Sequence, residues 1–154
     1  MKAIDVITGK EEGYTTKSPI GSLVEFYNAF NSKNMELMLQ NWYDSPHASM
    51  SNPLGGIKRG CSEIKQVYEK IFHSPAEVYV EYYDFTIFEM DGSFQAVGRE
   101  RGYFKLAGRQ VELKIRTSRC FVQVGERFRQ LHHHGSIEFP ESLANYQNAV
   151  RTGD

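Results

Sequence analysis

Three consecutive histidines, His132, His133 and His134, are the residues of this sequence with the clearest potential for chemistry. They lie in a segment with a two-residue period, which predicts a β-strand. Successive side chains of a strand point to opposite faces, so His132 and His134 share one face, about 7 Å apart, and His133 points to the other. Because imidazoles titrate near neutrality, we take His132 and His134 as candidates for acid–base catalysis.

Two other interpretations of these histidines stay open. Metal binding needs a third ligand, and the sequence has no His-x-His-plus-carboxylate pattern to supply one, so we predict no metal and no other cofactor. The other interpretation is structural, with hydrogen-bonded imidazoles in the sheet or at a dimer interface. A polar pocket wall is the interpretation that we prefer.

A second polar group consists of arginines on the two strands before the histidines. Its members are Arg99, Arg101, Arg116 and Arg119. Strand arginines are usually solvated or paired with a cross-strand glutamate, for which Glu100 and Glu112 are available. If Arg119 faces an interior cavity instead, its planar guanidinium suits a carboxylate or phosphate ligand.

Aromatic residues make up 13% of the chain, which predicts either an aromatic core or a cavity lined by rings with polar tips. Our candidates for ligand contact are Tyr27, Trp42, Tyr68, Phe72 and Tyr103.

Two further candidates lie at the predicted end of the second helix. Asp44 is a third candidate for acid–base catalysis, and His47 is a candidate for ligand binding. The alternative for Asp44 is that it caps a helix end or a turn.

The elements that must position these groups begin with three helices. Ser18 and Pro19 are an N-cap and a first helical residue, and the apolar stripe that follows continues to Phe30. Asn34 can cap a second helix that runs to about Trp42, and a third helix is predicted over about residues 62–72.

From Glu77 onward the apolar period changes to two, which predicts long strands over about residues 77–90, 95–106, 111–124 and 128–139. Strands of this length must bend. Changes of parity near Asp84 and near Arg119-Cys120 predict β-bulges there. The fold class is therefore α+β, a cone in which three N-terminal helices pack in the hollow of a strongly bent, mainly antiparallel sheet.

Length and composition set the remaining expectations. The 154 residues suit one domain, which we place at residues 18–140, between a loose N-terminal arm (1–17) that can dock and a C-terminal tail (141–154). A net charge of −1 without blocks of like charge argues against nucleic-acid and membrane partners. Without an apparent export signal, we expect a cytoplasmic protein in which Cys61 and Cys120 are reduced.

Four segments, taken in order, resemble the nuclear transport factor 2-like (cystatin-like) superfamily. The likeness is greatest to its SnoaL-like branch and to the association domain of calcium/calmodulin-dependent kinases. The segments are Phe26-Tyr-Asn-Ala-Phe-Asn-Ser-Lys-Asn-Met35, Arg59-Gly-Cys-Ser-Glu-Ile64, Thr117-Ser-Arg-Cys-Phe121 and Phe128-Arg-Gln-Leu-His-His-His-Gly-Ser136. The resemblance implies a conical fold in which Arg119 points inward near His132 and His134, and a homodimer that forms through the outer face of the sheet.

The superfamily hosts many functions, so the fold does not supply one. The resemblance implies a small anionic or carbonyl-containing ligand in a conical pocket, with or without cofactor-independent lyase, isomerase or cyclase activity. The alternative is a non-catalytic homo-oligomerisation module. Ketosteroid isomerase chemistry is disfavoured, because the position of its carboxylate base matches Asn52 and the position of its tyrosine falls nearest Phe26.

Overall fold

The computed structural model describes residues 3–152, which form a bent sheet with helices packed in its hollow. The helices are α1 (Pro19–Asn31), α2 (Met35–Asn41), α3 (Gly60–His73) and α4 (Pro140–Thr152). The strands are β1 (Val6–Ile7), β2 (Ser49–Ser51), β3 (Lys58–Arg59), β4 (Glu77–Met90), β5 (Ser93–Leu106), β6 (Arg109–Val124) and β7 (Arg127–Ile137). Within residues 3–152, no helix is both long enough and apolar enough to cross a membrane.

The first two helices begin where the sequence predicts. Ser18 caps α1, and its side-chain oxygen accepts a hydrogen bond from the Gly21 backbone N–H at 3.1 Å. Asn34 caps α2 in the same way, through the Leu37 N–H at 3.0 Å. Such caps satisfy backbone donors that a helix start leaves unpaired.

The strands form one sheet in the order β1-β4-β5-β6-β7-β2-β3. Strands β4 to β7 are joined by consecutive antiparallel pairings, and the short β2 runs parallel to β7. The predicted α+β class and its mainly antiparallel sheet are confirmed.

The bulge predicted near Asp84 is present on β4. The one predicted near Arg119-Cys120 lies on the neighbouring strand β7, opposite that position, and it determines where the histidines point. The register shifts between Tyr83 and Thr86 on β4, and again opposite Cys120 and Phe121. At the second bulge the extra residue is Leu131 of β7, because Phe121 pairs with Gln130 while Cys120 pairs with His132. An extra residue exchanges the inward and outward positions of the strand beyond it.

The N-terminal segment is docked. β1 pairs with β4, and Ile7 is fully buried. Gly9 lies against the α1 backbone, where an added Cβ would lie 2.3 Å from the Asn28 nitrogen. Residues 1–2 of the predicted arm lie outside the described residues.

The predicted tail is wrong as a description of residues 141–152, because they belong to α4. This helix packs against the sheet, with Ala149 buried and the Tyr146 ring edge-on to the Phe104 ring. Residues 153–154 lie outside the described residues.

Candidate functional site

Arg119 lies in the middle of β6 and points into the cone, where it is 1% exposed. Its Nη1 donates a hydrogen bond to Gln130 Oε1 at 2.8 Å, and its Nε donates one to the Tyr27 hydroxyl at 3.4 Å. The guanidinium carbon lies 3.6 Å from the centroid of the Phe26 ring, an arrangement in which the ring face attracts the cation. This placement agrees with the inward direction that the family resemblance implies for Arg119.

Glu100 supplies the opposite charge. It lies on the inner face of β5, is 5% exposed, and its Oε1 is 3.6 Å from Arg119 Nη2. The same carboxylate accepts a hydrogen bond from the Thr117 hydroxyl. Sequence reasoning treated Glu100 as a surface partner. The alternation along β5 indicates its direction. Phe94, Ala96 and Glu100 are all even-numbered positions of this strand, so their side chains lie on the same, inner face.

A chain of buried polar groups holds the other side of Arg119. Gln130 Nε2 donates to Asn41 Oδ1 at 3.1 Å, and Asn41 Nδ2 donates to the Ser22 carbonyl and to Glu25 Oε1, both at 3.0 Å. Gln130, Asn41 and Ser22 are all fully buried. Buried hydrogen-bonded chains of this kind fix the orientation of the groups at their ends.

His133 is the histidine that enters the cone. It pairs directly with Arg119 across β6 and β7 and is 7% exposed. Neither of its ring nitrogens has a hydrogen-bond partner among the described residues. Burial, and then the positive charge of Arg119, hold its pKa well below the ordinary value, so the imidazole is neutral near pH 7.

The predicted placement of His132 and His134 beside Arg119 is wrong. Gln130 points inward, and in a regular strand His132 and His134 would point inward as well. The extra residue Leu131 shifts the alternation, so these two histidines lie on the outer face. His132 Nδ1 is hydrogen-bonded to Ser49 Oγ at 2.7 Å, and His134 is exposed. Their proposed catalytic roles stay untested predictions.

Three of the predicted aromatic residues lie around Arg119. Tyr27, Trp42 and Tyr68 are almost fully buried. Burial is the main cause that raises the pKa of Tyr27 well above its ordinary value and that of Tyr68 to about 12, so both phenols are neutral. Trp42 Nε1 has no hydrogen-bond partner among the described residues, and the Trp42 ring lies beside Tyr68, with ring centroids 6.5 Å apart. Phe72 is half-buried beside Tyr68, with ring centroids 5.9 Å apart.

The remaining predicted residues lie apart from this interior group. Tyr103 is on the outer face of β5, where its ring stacks on Tyr79 and its hydroxyl donates to Glu77 at 3.0 Å. Its predicted place in the cavity wall is therefore wrong. Asp44 and His47 are exposed after the end of α2. Within residues 3–152, no group of three or more His, Cys, Asp or Glu side chains could hold a metal ion.

The interior group combines a fixed cation, a carboxylate and a neutral imidazole inside aromatic walls. Such a set can polarise an oxygen atom through Arg119 and exchange a proton through His133. A buried environment strengthens both interactions.

Comparison with known proteins identifies the fold and the family. A family model described as a SnoaL-like domain matches residues 22–140. No curated protein sequence matches the chain.

Several solved structures are similar. One is a Thiobacillus denitrificans protein provisionally named a calcium/calmodulin-dependent protein kinase type II association domain. It has a TM-score of 0.68 and 14% identity, with coverage of 79% of this chain and 96% of that one. A Streptomyces avermitilis protein provisionally named a dehydratase of the nuclear transport factor 2-like family has a TM-score of 0.68 and 15% identity, over 77% of this chain and 92% of that one. An uncharacterised Caulobacter vibrioides protein with a cystatin-like fold has a TM-score of 0.64 and 21% identity, over 84% of this chain and 92% of that one. At these identities the likeness concerns the fold alone.

Proposed function

Because this chain belongs to the SnoaL-like domain family, we propose that it binds a small carbonyl-containing organic molecule inside the cone, with His133 and Arg119 directed at the ligand. The observation that carries the proposal is the buried imidazole of His133, which has no hydrogen-bond partner among the described residues. A buried polar group without a partner costs about 1–3 kcal/mol. A ligand that supplies the partner recovers this free energy.

A neutral carbonyl suits the site better than a free anion. Arg119 is already paired with Glu100, so the two buried charges compensate one another. A second carboxylate would lie close to Glu100 and would be repelled, whereas a carbonyl oxygen can accept a hydrogen bond from the guanidinium without adding charge. The aromatic walls suit an apolar or aromatic ligand body.

The same pair of residues supports acid–base turnover of such a ligand. Neutral His133 can take a proton from the carbon next to the carbonyl, and the electron pair of that C–H bond becomes a C=C bond as the carbonyl oxygen becomes negative. Arg119 stabilises this negative oxygen. If His133 returns the proton to another carbon, the reaction is an isomerisation. If a neighbouring hydroxyl leaves as water with that proton, it is a dehydration. The dehydratase name of one structural neighbour agrees with this class of reaction.

The test uses acetophenone as a neutral carbonyl probe and benzoate as an anionic one, with the ¹⁵N resonances of the His133 ring as the reporter. We expect acetophenone to shift these resonances and to bind more tightly than benzoate. His133→Gln should weaken binding at least about fivefold, the loss of one neutral hydrogen bond. The matched control, His134→Gln, changes the exposed neighbour and should bind like the parent protein.

Failure of both probes to shift the His133 resonances would argue against this function. Native mass spectrometry of the purified protein provides an independent measurement, because a co-purifying carbonyl compound that is lost in the Arg119→Met variant would support the proposal.

The second candidate function is homo-oligomerisation through the outer sheet face. Three large apolar side chains are exposed there: Phe88 (66%), Met90 (49%) and Val97 (46%). Exposed apolar patches on a sheet commonly mark interfaces. We expect a dimer in native mass spectrometry that Val97→Glu splits and that Gln66→Glu, an exposed change on α3, leaves intact. A monomeric parent protein would exclude this candidate.

A further inference from the structure

Trp42 carries a second buried polar group that has no partner. Its side chain is 1% exposed, and within residues 3–152 its Nε1 has no hydrogen-bond acceptor. An indole N–H can only donate, and a buried tryptophan normally finds an acceptor for it. In the described part of the chain, Trp42 and His133 are the only residues with buried side-chain nitrogen or oxygen atoms that lack a partner.

The main chain holds Trp42 next to the residue that orients Arg119. The Trp42 N–H donates to the Met38 carbonyl at 3.2 Å at the end of α2, and Trp42 forms a parallel β-bridge with Gln130. The Tyr43 N–H donates to the Gln130 carbonyl at 2.8 Å and extends this bridge. Gln130 in turn accepts the hydrogen bond of the Arg119 guanidinium. The backbone therefore fixes the indole close to the polar interior.

The indole ring also belongs to the aromatic wall around Arg119. Its centroid lies 6.5 Å from the centroid of the Tyr68 ring, and the Tyr68 and Phe26 centroids are 6.3 Å apart. The Arg119 guanidinium lies against the Phe26 ring. In this series of contacts the rings of Tyr68 and Phe26 lie between the two donors. A ligand on this wall therefore needs one acceptor atom for the guanidinium and another for the indole.

We infer that Trp42 is a specificity-determining residue of the interior site and that its Nε1 donates a hydrogen bond to a second acceptor oxygen of the ligand. The inference rests on the proposed function, because a ligand inside the cone must supply the acceptor. A neutral oxygen suits this position, since Glu100 would repel a carboxylate. The ligand class is a ketone with a second carbonyl group, such as a keto ester.

The first test needs no ligand and concerns the unpaired donor. Trp42 is the only tryptophan, so the ultraviolet resonance Raman band that reports hydrogen bonding of an indole N–H comes from this residue alone. We expect the band of a non-bonded indole in the free protein. Replacement of Trp42 by 3-benzothienylalanine exchanges the N–H for sulfur and keeps the bicyclic ring. The midpoint of thermal unfolding should then rise by about 2 °C or more, because an unsatisfied buried donor is removed.

Either of two results would overturn the inference at this stage. A hydrogen-bonded indole in the free protein would show that the donor already has a partner. A lower unfolding midpoint in the benzothienylalanine variant would show that the N–H stabilises the free protein.

The second test compares two probes of equal chain length. Ethyl benzoylacetate has a ketone and an ester carbonyl, whereas hexanophenone has the ketone alone. We expect ethyl benzoylacetate to move the Trp42 Raman band to its hydrogen-bonded position. The benzothienylalanine variant should bind this probe about fivefold more weakly, the loss of one neutral hydrogen bond, and should bind hexanophenone like the parent protein. The control is Tyr103→Phe, which removes an outer-face hydroxyl and should affect neither probe.

The two probes separate this inference from the proposed function. If hexanophenone binds and the benzothienylalanine variant loses no affinity for ethyl benzoylacetate, the Trp42 contact is wrong while the proposed function stands. An equal loss for both probes would mean that the indole shares the first carbonyl with Arg119, and it would overturn the second acceptor. If neither probe binds the parent protein, the proposed function and the Trp42 contact both fail.

Discussion

Arg119 and His133 are direct partners across the β6–β7 ladder, and both side chains lie inside the cone. The pairing brings a permanent positive charge next to a buried imidazole. The two residues can therefore have different roles. Arg119 keeps its positive charge and can stabilise a negative oxygen, while His133 stays neutral and can accept a proton. The consequences of this arrangement for stability can be measured.

The stability of the protein should fall as the pH drops below about 6.5, the ordinary pKa of histidine. The folded state holds the pKa of His133 well below that value, so in this range the unfolded chain takes up a proton that folded His133 does not. Each such group lowers the free energy of unfolding by at most about 1.4 kcal/mol per pH unit, and the loss continues until the pH reaches the folded pKa.

Urea denaturation between pH 7.5 and 5 measures this effect. His133→Gln should reduce the dependence of the free energy of unfolding on pH. His132 should still contribute to the remaining dependence, because burial lowers its pKa as well. His134→Gln, which alters an exposed side chain, should keep the parent slope. A slope that His133→Gln does not change would contradict the buried, neutral imidazole.

Removal of the Arg119 side chain should destabilise the protein strongly. Arg119→Ala leaves Glu100 buried without its cation and Gln130 without its donor, and loss of one partner of a buried pair typically costs about 3–5 kcal/mol. The control is Arg116→Ala, which changes an exposed arginine of the same strand and should stay within about 0.5 kcal/mol.

The double variant Arg119→Met/Glu100→Gln should recover part of this loss, because it leaves no buried charge. An Arg119→Ala variant as stable as Arg116→Ala would show that the guanidinium is not buried. Chemical denaturation followed by tryptophan fluorescence reports both variants, since Trp42 is buried in the same interior.

The sequence patterns predict the class of the fold, and the family resemblance implies the inward direction of Arg119, but neither determines which face the histidines occupy. Alternation correctly separates His132 and His134 from His133, because that depends only on the geometry of one strand. Which set points inward depends on Leu131, a bulge residue whose position is fixed by pairing with β6. Parity along β7 alone therefore cannot assign the face.

Glu100 and Tyr146 escaped sequence reasoning for different reasons. Glu100 has the parity of the apolar residues of β5, but a lone glutamate among strand arginines also fits a solvated pair. Tyr146 belongs to α4, which begins at Pro140, and its edge-to-face contact with Phe104 results from packing between distant parts of the chain. Local patterns carry no information about such packing.

Gly135→Ala should displace the His133 ring. An added Cβ would lie 3.2 Å from His133 Nε2 and 3.3 Å from Pro53 Cγ, tighter than most contacts of a real Cβ. We expect a cost of about 1 kcal/mol, at the low end of overpacking, together with a change in the His133 ¹⁵N shifts. Ser136→Ala, a change at the neighbouring position that pairs with exposed Arg116, should leave those shifts in place. Unchanged shifts in Gly135→Ala would contradict the close approach of the ring to Gly135.

Asn41 should stabilise the site through Gln130 and not by direct contact with Arg119. Asn41→Ala leaves Gln130 Nε2 without its acceptor and removes a donor from the Ser22 carbonyl, which should cost about 1–3 kcal/mol. A double-mutant cycle with Gln130→Ala should give a coupling energy of about 0.5–3 kcal/mol, because the two side chains belong to one hydrogen-bonded chain. Gln40→Ala, a change at the adjacent exposed position of α2, should show no coupling to Gln130. If Asn41 and Gln130 behave additively, the chain does not act as a unit, and Gln130 then orients Arg119 without support from Asn41.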